Sequence, residues 1–351
     1  MWYRRGYQDH DVSIISSAML KVNGIGSYKD HSGIIFEETD VIVPSQENNA
    51  LFITTSFIST DQKRAHCGEG VVINEAICTN HSECQKRLEN LSISNGHWTG
   101  RCRMPEGRCE IEGWCPVEED HIMPNPIIKS LNYTVLVHNF IEFTRFRVKR
   151  RNIFDESKYF EECRYHPIHN KLCPIFRIGD LLEFVESDAN ERYLMLQHGA
   201  VVRIKIDWLC NLDLGEDQCR PQYSFGRLDS RYVDEQFSFG FNFRYASYWK
   251  MKKESHRILK QVFGLRLLVI VNGDAGRFDL FVLTLNVGSM IGVFGIATFL
   301  CDIFALYFSK QGSIYRSQKF QSVSTKGASM QLPRTTIDRV KMDEPIDDIH
   351  F

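Results

Sequence analysis

The chain has 351 residues, 43% of them hydrophobic, and a formal net charge of −2. That length accommodates at least one substantial core, and the apolar content excludes wholesale disorder. Near-neutrality excludes bulk attraction to nucleic acid, so any basic site has to be local.

The opening residues, "MWYRRGYQDHD", contain no apolar run, so neither a signal peptide nor a membrane span is expected there. From Gly24 to Gly273 the patterning is mostly β. Strands are expected in "NALFITTSFIST" (49–60), "NYTVLVHNFIEF" (132–143), "AVVRIKIDWLC" (200–210) and "LRLLVIVNG" (265–273), all rich in β-branched and aromatic residues. In the third, Val202, Ile204, Ile206 and Trp208 alternate with Arg203, Lys205 and Asp207, a period of two that turns one face to a core. "GDLLEFV" (179–185) reads as one short helix, and the polar, turn-rich stretch 67–115 as a stapled surface subdomain.

There are 11 cysteines, and ten fall between Cys67 and Cys219 without a CxxC spacing, which argues against zinc ribbons and dithiol redox motifs. An even set in polar sequence implies five disulfides made in an oxidising compartment, with the pairing left open. Acceptor sequons at Asn80, Asn90 and Asn132 agree, so the chain is expected to be extracellular at least to Cys219. "GFNFRYASYWK" (240–250) sets an arginine between aromatics with an asparagine two residues before it. Alone, it fits either the rim of an ordinary strand or a cradle for a multiply charged anion.

Residues 278–308, "FDLFVLTLNVGSMIGVFGIATFLCDIFALYF", carry no charge between Leu280 and Leu300. As a helix this run is long enough for a hydrocarbon layer of about 30 Å. Lys310, Arg316 and Lys319 follow it and place the C-terminus in the cytosol. Beyond Phe320 the sequence lacks periodicity and is expected to be a disordered tail. The domains are thus an extracellular part (1–277), a membrane helix (278–308) and a cytosolic tail (309–351).

These parts, in unbroken order, resemble the P2X purinoceptors, the ATP-gated cation channels. The resemblance is carried by "TGRC" (99–102), "CEIEGWCPVE" (109–118), "CPIFRIGD" (173–180), "DWLCNLD" (207–213), "YSFGRLD" (223–229), "GFNFRYA" (240–246), "FGLR" (263–266) and "FLCDI" (299–303). It implies a β-rich, disulfide-stapled ectodomain on a C-terminal transmembrane helix, assembled as a homotrimer or as a heterotrimer with related subunits in the plasma membrane. It implies the pairs Cys67–Cys115, Cys78–Cys102, Cys84–Cys109, Cys163–Cys173 and Cys210–Cys219. Its ligand is ATP, with no cofactor and no metal, and its permeant ions are Na+, K+ and Ca2+.

By the same resemblance Asn242, Arg244 and Lys260 hold the phosphates, and Lys21 reaches them from the adjacent subunit. Asn23 stands where the family has a second lysine, and Lys158 and Phe160 stand at the nucleotide end, so reduced sensitivity or altered selectivity is expected. Thr284, Asn286, Ser289 and Gly292 would line the pore, Asp302 sits near its cytosolic end, and "YRSQK" (315–319) matches the family's membrane-retention pattern. "WYRRGYQ" aligns with the end of the family's first membrane helix, so this chain by itself is expected to have a single span and, expressed alone, to be retained and silent. Two other readings compete: a single-pass receptor or adhesion protein without channel activity, and an ecto-nucleotidase. The enzyme reading lacks support, since the 12 histidines are dispersed without an HxxxH or carboxylate–histidine cluster.

Overall fold

The computed structural model describes residues 5–24, 28–29, 35–43, 47–87, 93–119, 123–153, 159–160, 163–234, 239–310 and 312–320. The chain divides into two compact units, Met1–Leu283 and Thr284–Phe351.

Among the described residues of the first unit the strands are β1 (Gln8–Asp11), β2 (Ile14–Asn23), β3 (Tyr28–Lys29), β4 (Ile35–Phe36), β5 (Ala50–Gly68), β6 (Gly96–Arg103), β7 (Arg108–Cys115), β8 (Thr134–Phe143), β9 (Val148–Arg151), β10 (Ile175–Arg177), β11 (Ala200–Asn211), β12 (Pro221–Arg227), β13 (Asn242–Met251) and β14 (Glu254–Phe278). One sheet runs β12-β11-β14-β5-β7-β6, with β1 and β13 also paired to β14. A second runs β10-β8-β2, with β9 on β8, and β3 pairs with β4. The period of two in β11 does what its sequence requires. Val202, Ile204, Ile206 and Trp208 are fully buried, and they meet Val135, Val137, Ile141 and Phe143 of β8 in one core.

A satisfied polar network crosses that core. Trp208 donates its indole N–H to Asn139 (2.8 Å), whose own amide donates to the Ser17 carbonyl (2.9 Å). Asn152 accepts from the Asn139 backbone N–H (2.7 Å) and donates to the Val137 carbonyl (2.6 Å) and the Tyr223 hydroxyl (3.1 Å). Asn139 and Asn152 are fully buried, and burial without these partners would be costly.

The helical segment 179–185 is present as Ile178–Val185, with Leu181 and Leu182 in the core. A second helix, Ala189–His198, was not legible in the sequence. Its capping explains it: Asp188 accepts from the Asn190 N–H (3.0 Å) and Gly199 ends the helix at φ +84°. Its buried Glu191 meets the Arg227 guanidinium (3.2 Å), which also pairs with Asp229 (3.0 Å) and Glu186 (3.6 Å).

Cys67–Cys115, Cys78–Cys102 and Cys84–Cys109 staple β5, β6, β7 and the helix His81–Arg87 around a small cluster containing Trp98 and Ile111. Cys163–Cys173 and Cys210–Cys219 close two local loops. Each bridge stabilises by limiting the unfolded chain, by about 2–4 kcal/mol. The three-cysteine constellation Cys78, Cys84 and Cys102 is consumed by these bridges.

β14 is paired along both edges. One edge takes β13 antiparallel (254–263) and then β11 parallel (265–276), and the other takes β5 (256–268) and then β1 (275–278). The change of partner on the first edge happens at Gly264, beside a register shift against β5. A Cβ there would lie 2.2 Å from the Ile53 carbonyl oxygen, and one on Gly199 would lie 2.2 Å from that of Phe241. Gly264 donates its N–H to that Phe241 carbonyl (3.2 Å). Gly264→Ala is therefore expected to cost about 1–3 kcal/mol or more, as overpacking against backbone does. Thermal unfolding of the purified protein, followed by loss of the assembled species, checks it.

Candidate ligand-binding site and membrane helix

The hairpin β13–β14 turns at Lys252 and Lys253, both with positive φ (48° and 72°). That two-residue turn sets the register: Asn242 faces Phe263, Arg244 faces Gln261 and Tyr245 faces Lys260. Directly opposed residues of an antiparallel pair share a face, and neighbours along a strand do not. Asn242 and Arg244 thus lie together on one face, both exposed. Phe243 turns to the other side and packs on the fully buried Phe52 (ring centroids 4.9 Å apart).

Lys260 does not lie directly opposite Arg244. It belongs to the reverse face with Tyr245 and Ser59, and the residue beside Arg244 is Gln261, which is 6% exposed. The cause is the one-residue periodicity of a strand, which the motif gives no means of counting.

Residues 114–118 cover the Arg244 face. Trp114 meets Tyr248 (5.7 Å) and takes the Arg257 guanidinium over its ring (4.6 Å), and Gln62 donates to the Pro116 carbonyl (2.6 Å). Glu118 reaches Arg244 itself: Nε donates to Glu118 Oε2 at 2.9 Å, and a terminal nitrogen donates to Gln261 Oε1 at 3.0 Å. The Glu118 side chain is 12% exposed, and its Oε1 is buried without a partner. This carboxylate was missed in the sequence. It lies within the "CPVE" run, but nothing local tells which cation it meets.

Lys21 and Asn23 are two apart on β2 and both exposed. They line a concavity of about 1120 Å³ together with Glu47, His138 and Phe140, and neither Asn242 nor Arg244 contributes to that lining. Lys21 and Arg244 are thus not gathered into one pocket of the chain. Lys158 and Asn90 lie outside the described residues, as does the tail 321–351. Phe160 stacks edge-on with Tyr159 (5.1 Å). Asn80 and Asn132 are exposed: Asn80 accepts from the Glu83 N–H (3.1 Å), and Asn132 accepts from Arg177 (2.9 Å).

The helix Leu280–Tyr307 is 28 residues long, with a mean hydropathy of 2.0 over its most apolar window and no buried residue. At 3.6 residues per turn, Ser289 and Gly292 fall within about 60° of each other, while Thr284 and Asn286 flank them about 100° to either side. In the second unit Tyr315 and Lys319 of the helix Gly312–Lys319 both engage Asp302, the tyrosine hydroxyl at 2.5 Å. Asp302 is thus paired.

A cystine-stapled β-rich unit whose last strand leads into one membrane-length helix is the architecture of a membrane receptor subunit. The family model for the ATP P2X receptor matches residues 1–322. The chain is 34% identical to P2X purinoceptor 5 of Homo sapiens over 331 residues, covering 91% of this chain and 73% of that one. It is 36% identical to P2X purinoceptor 4 of Mus musculus over 333 residues, covering 92% and 84%. Among solved structures it resembles a P2X receptor from the Gulf Coast tick, determined with ATP and Zn2+ (TM-score 0.75, 33% identity, 86% of this chain and 94% of that one). It also resembles the chicken ATP-gated P2X7 receptor channel with the competitive antagonist TNP-ATP (TM-score 0.72, 29% identity, 87% and 93%). The chain belongs to the P2X receptor family.

Proposed function

We propose that this chain, a subunit of an ATP-gated cation channel of the plasma membrane, is opened when ATP seats its triphosphate between two subunits of a trimer. Asn242 and Arg244 take the phosphates from one side, and Lys21 with Asn23 takes them from the next subunit. Lys158 and Phe160 belong to the nucleotide end. ATP carries about four negative charges, and a planar guanidinium is the group best matched to phosphate oxygens.

The observation that carries this reading is the pair Arg244–Glu118 at 2.9 Å, on the same exposed face as Asn242. Glu118 occupies the guanidinium. A phosphate competes for it, and the carboxylate must be released as the phosphate enters, because two anions cannot share that position without repulsion. Arg244 is bound to β14 through Gln261, and β14 continues without a break to Phe278, two residues before the membrane helix begins. Movement at the phosphate seat is thereby passed along one strand to the helix. The opened helices admit Na+, K+ and Ca2+ past the side bearing Ser289 and Gly292, with Thr284 and Asn286 at its margins. No covalent step is required. Asn80 and Asn132 carry the glycans of the exposed ectodomain, with Asn90 as a third acceptor.

Arg244→Ala is expected to abolish the response to ATP while the protein still reaches the surface as a trimer, read by whole-cell current beside surface labelling. Loss of the trimer instead would make Arg244 a structural residue. Asn23→Lys adds a charge-assisted phosphate contact worth about 1.5–3 kcal/mol and should lower the half-maximal ATP concentration by about tenfold to a hundredfold. An unchanged dose–response curve would remove Asn23 from the site. Cysteines placed at Ser289 or Gly292 should be modified by a small charged thiol reagent only while ATP is present, and one at Val287 or Phe294, on the opposite side of the helix, more slowly. Equal rates at all four positions would mean that this side does not face the ion path.

A further inference from the structure

We infer that the tip of the β8–β9 hairpin is a docking surface for anionic lipid headgroups in the leaflet that meets the ectodomain. The inference is independent of the phosphate seat and needs only the membrane helix. The charge-free run begins at Leu280, which lies in the same compact unit as the sheets, so the hydrocarbon boundary falls there. Just before it β1 pairs with the end of β14, with Gln8 opposite Phe278 and Asp9 opposite Arg277.

The hairpin follows β1 toward that boundary one contact at a time. Phe143 pairs with Ile14, and the Thr144 hydroxyl donates to the Ser13 carbonyl (3.1 Å). The Arg145 N–H then donates to Asp11 (2.7 Å), and the Arg145 guanidinium meets Asp9 (2.7 Å). Asp9 is level with Arg277, three residues before Leu280, which is at most about 11 Å of extended chain. The headgroup layer covers about 5–7 Å of that distance, and a long basic side chain spans the rest.

What the tip presents there is positive. Phe146 packs against the main core, while Arg145 and Arg147 on either side of it are exposed. Arg147 holds the turn at a left-handed φ of 55°, and Lys149 follows on β9 opposite Glu142. Both ion pairs set the cation outside its carboxylate. The Arg145 side chain is 59% exposed against 18% for Asp9, and that of Lys149 is 61% exposed against 26% for Glu142. The acids orient these cations from behind, and Arg277 is exposed at the same level of β14. Basic groups lined up at headgroup depth fit the sulfate or phosphate of an anionic lipid, and the attraction weakens as salt screens it. Docking ties β8, and through it β2, to the bilayer surface.

The test uses the purified full chain in nanodiscs containing either sulfatide or unsulfated galactosylceramide, each with a photoreactive group near the headgroup. Crosslinks are mapped by mass spectrometry. Sulfatide is expected to label 144–151 about tenfold more than the neutral lipid, as several basic residues near a charged surface allow. In about 1 M salt, where the screening length falls to about 3 Å, the excess should disappear. It should also disappear in Arg145→Gln/Arg147→Gln/Lys149→Gln, and survive in Arg145→Lys/Arg147→Lys. Equal labelling by the two lipids, or no label in 144–151, overturns the inference. So does an excess that persists in the glutamine variant, which would assign it to other cations. If that variant does not assemble, the lipid comparison and the salt dependence of the unaltered chain decide.

Discussion

The hydrogen bonding of β14 along both of its edges is the constraint from which the rest of the first unit follows. Twenty-five residues in one strand can remain regular only if every stretch finds a partner, and β13, β11, β5 and β1 supply these in succession. Where one partner gives way to the next, three segments of the chain meet within van der Waals distance. Only residues without a Cβ tolerate that approach, which is why Gly264 and Gly199 stand there. The fold thereby holds the hairpin that carries Asn242 and Arg244 and the approach to the membrane helix on one continuous element.

Around that element, buried polar groups are placed where they have partners. Asn139 and Asn152 join the second sheet to Trp208 and Tyr223, and Arg227 gathers Glu186, Glu191 and Asp229 beneath the segment that precedes β13. Burial alone would raise the pKa of Glu186, but hydrogen bonds from Arg231 and the Asp188 N–H, with the nearby guanidinium charges, hold it below the usual carboxylate range. That contribution is present above the ordinary glutamate pKa and is lost as pH falls through the lowered one. In the cysteine-rich head, disulfides replace the core that so short a polar segment cannot bury.

The proposed phosphate seat has a different balance. Arg244 is 43% exposed and engaged by Glu118, so on the proposed reading its charge reaches phosphate by exchange of one anion for another. The contact keeps the guanidinium oriented. The helix Leu280–Tyr307, in contrast, shows no charged group along its central turns and relies on small and hydroxyl side chains for any polar path.

Much of this was legible in the sequence because it depends on local period or composition. The alternation in β11, the membrane-length run, the oxidised cysteines and the exposed acceptors of the head all come from residue types at fixed spacing, and motif order named the family. What only the tertiary structure decided concerns partners distant in the chain. Glu118 meets Arg244 across 126 residues, the helix Ala189–His198 is held by a buried carboxylate that finds its arginine 36 residues away, and Gly264 is required by a contact with Ile53. The placement of Lys260 shows the physical reason most plainly. A strand alternates faces at every residue, so a motif that places a lysine in the right segment says nothing of its side. That side was decided by a two-residue turn at Lys252 and Lys253, two lysines in a left-handed conformation that composition does not announce.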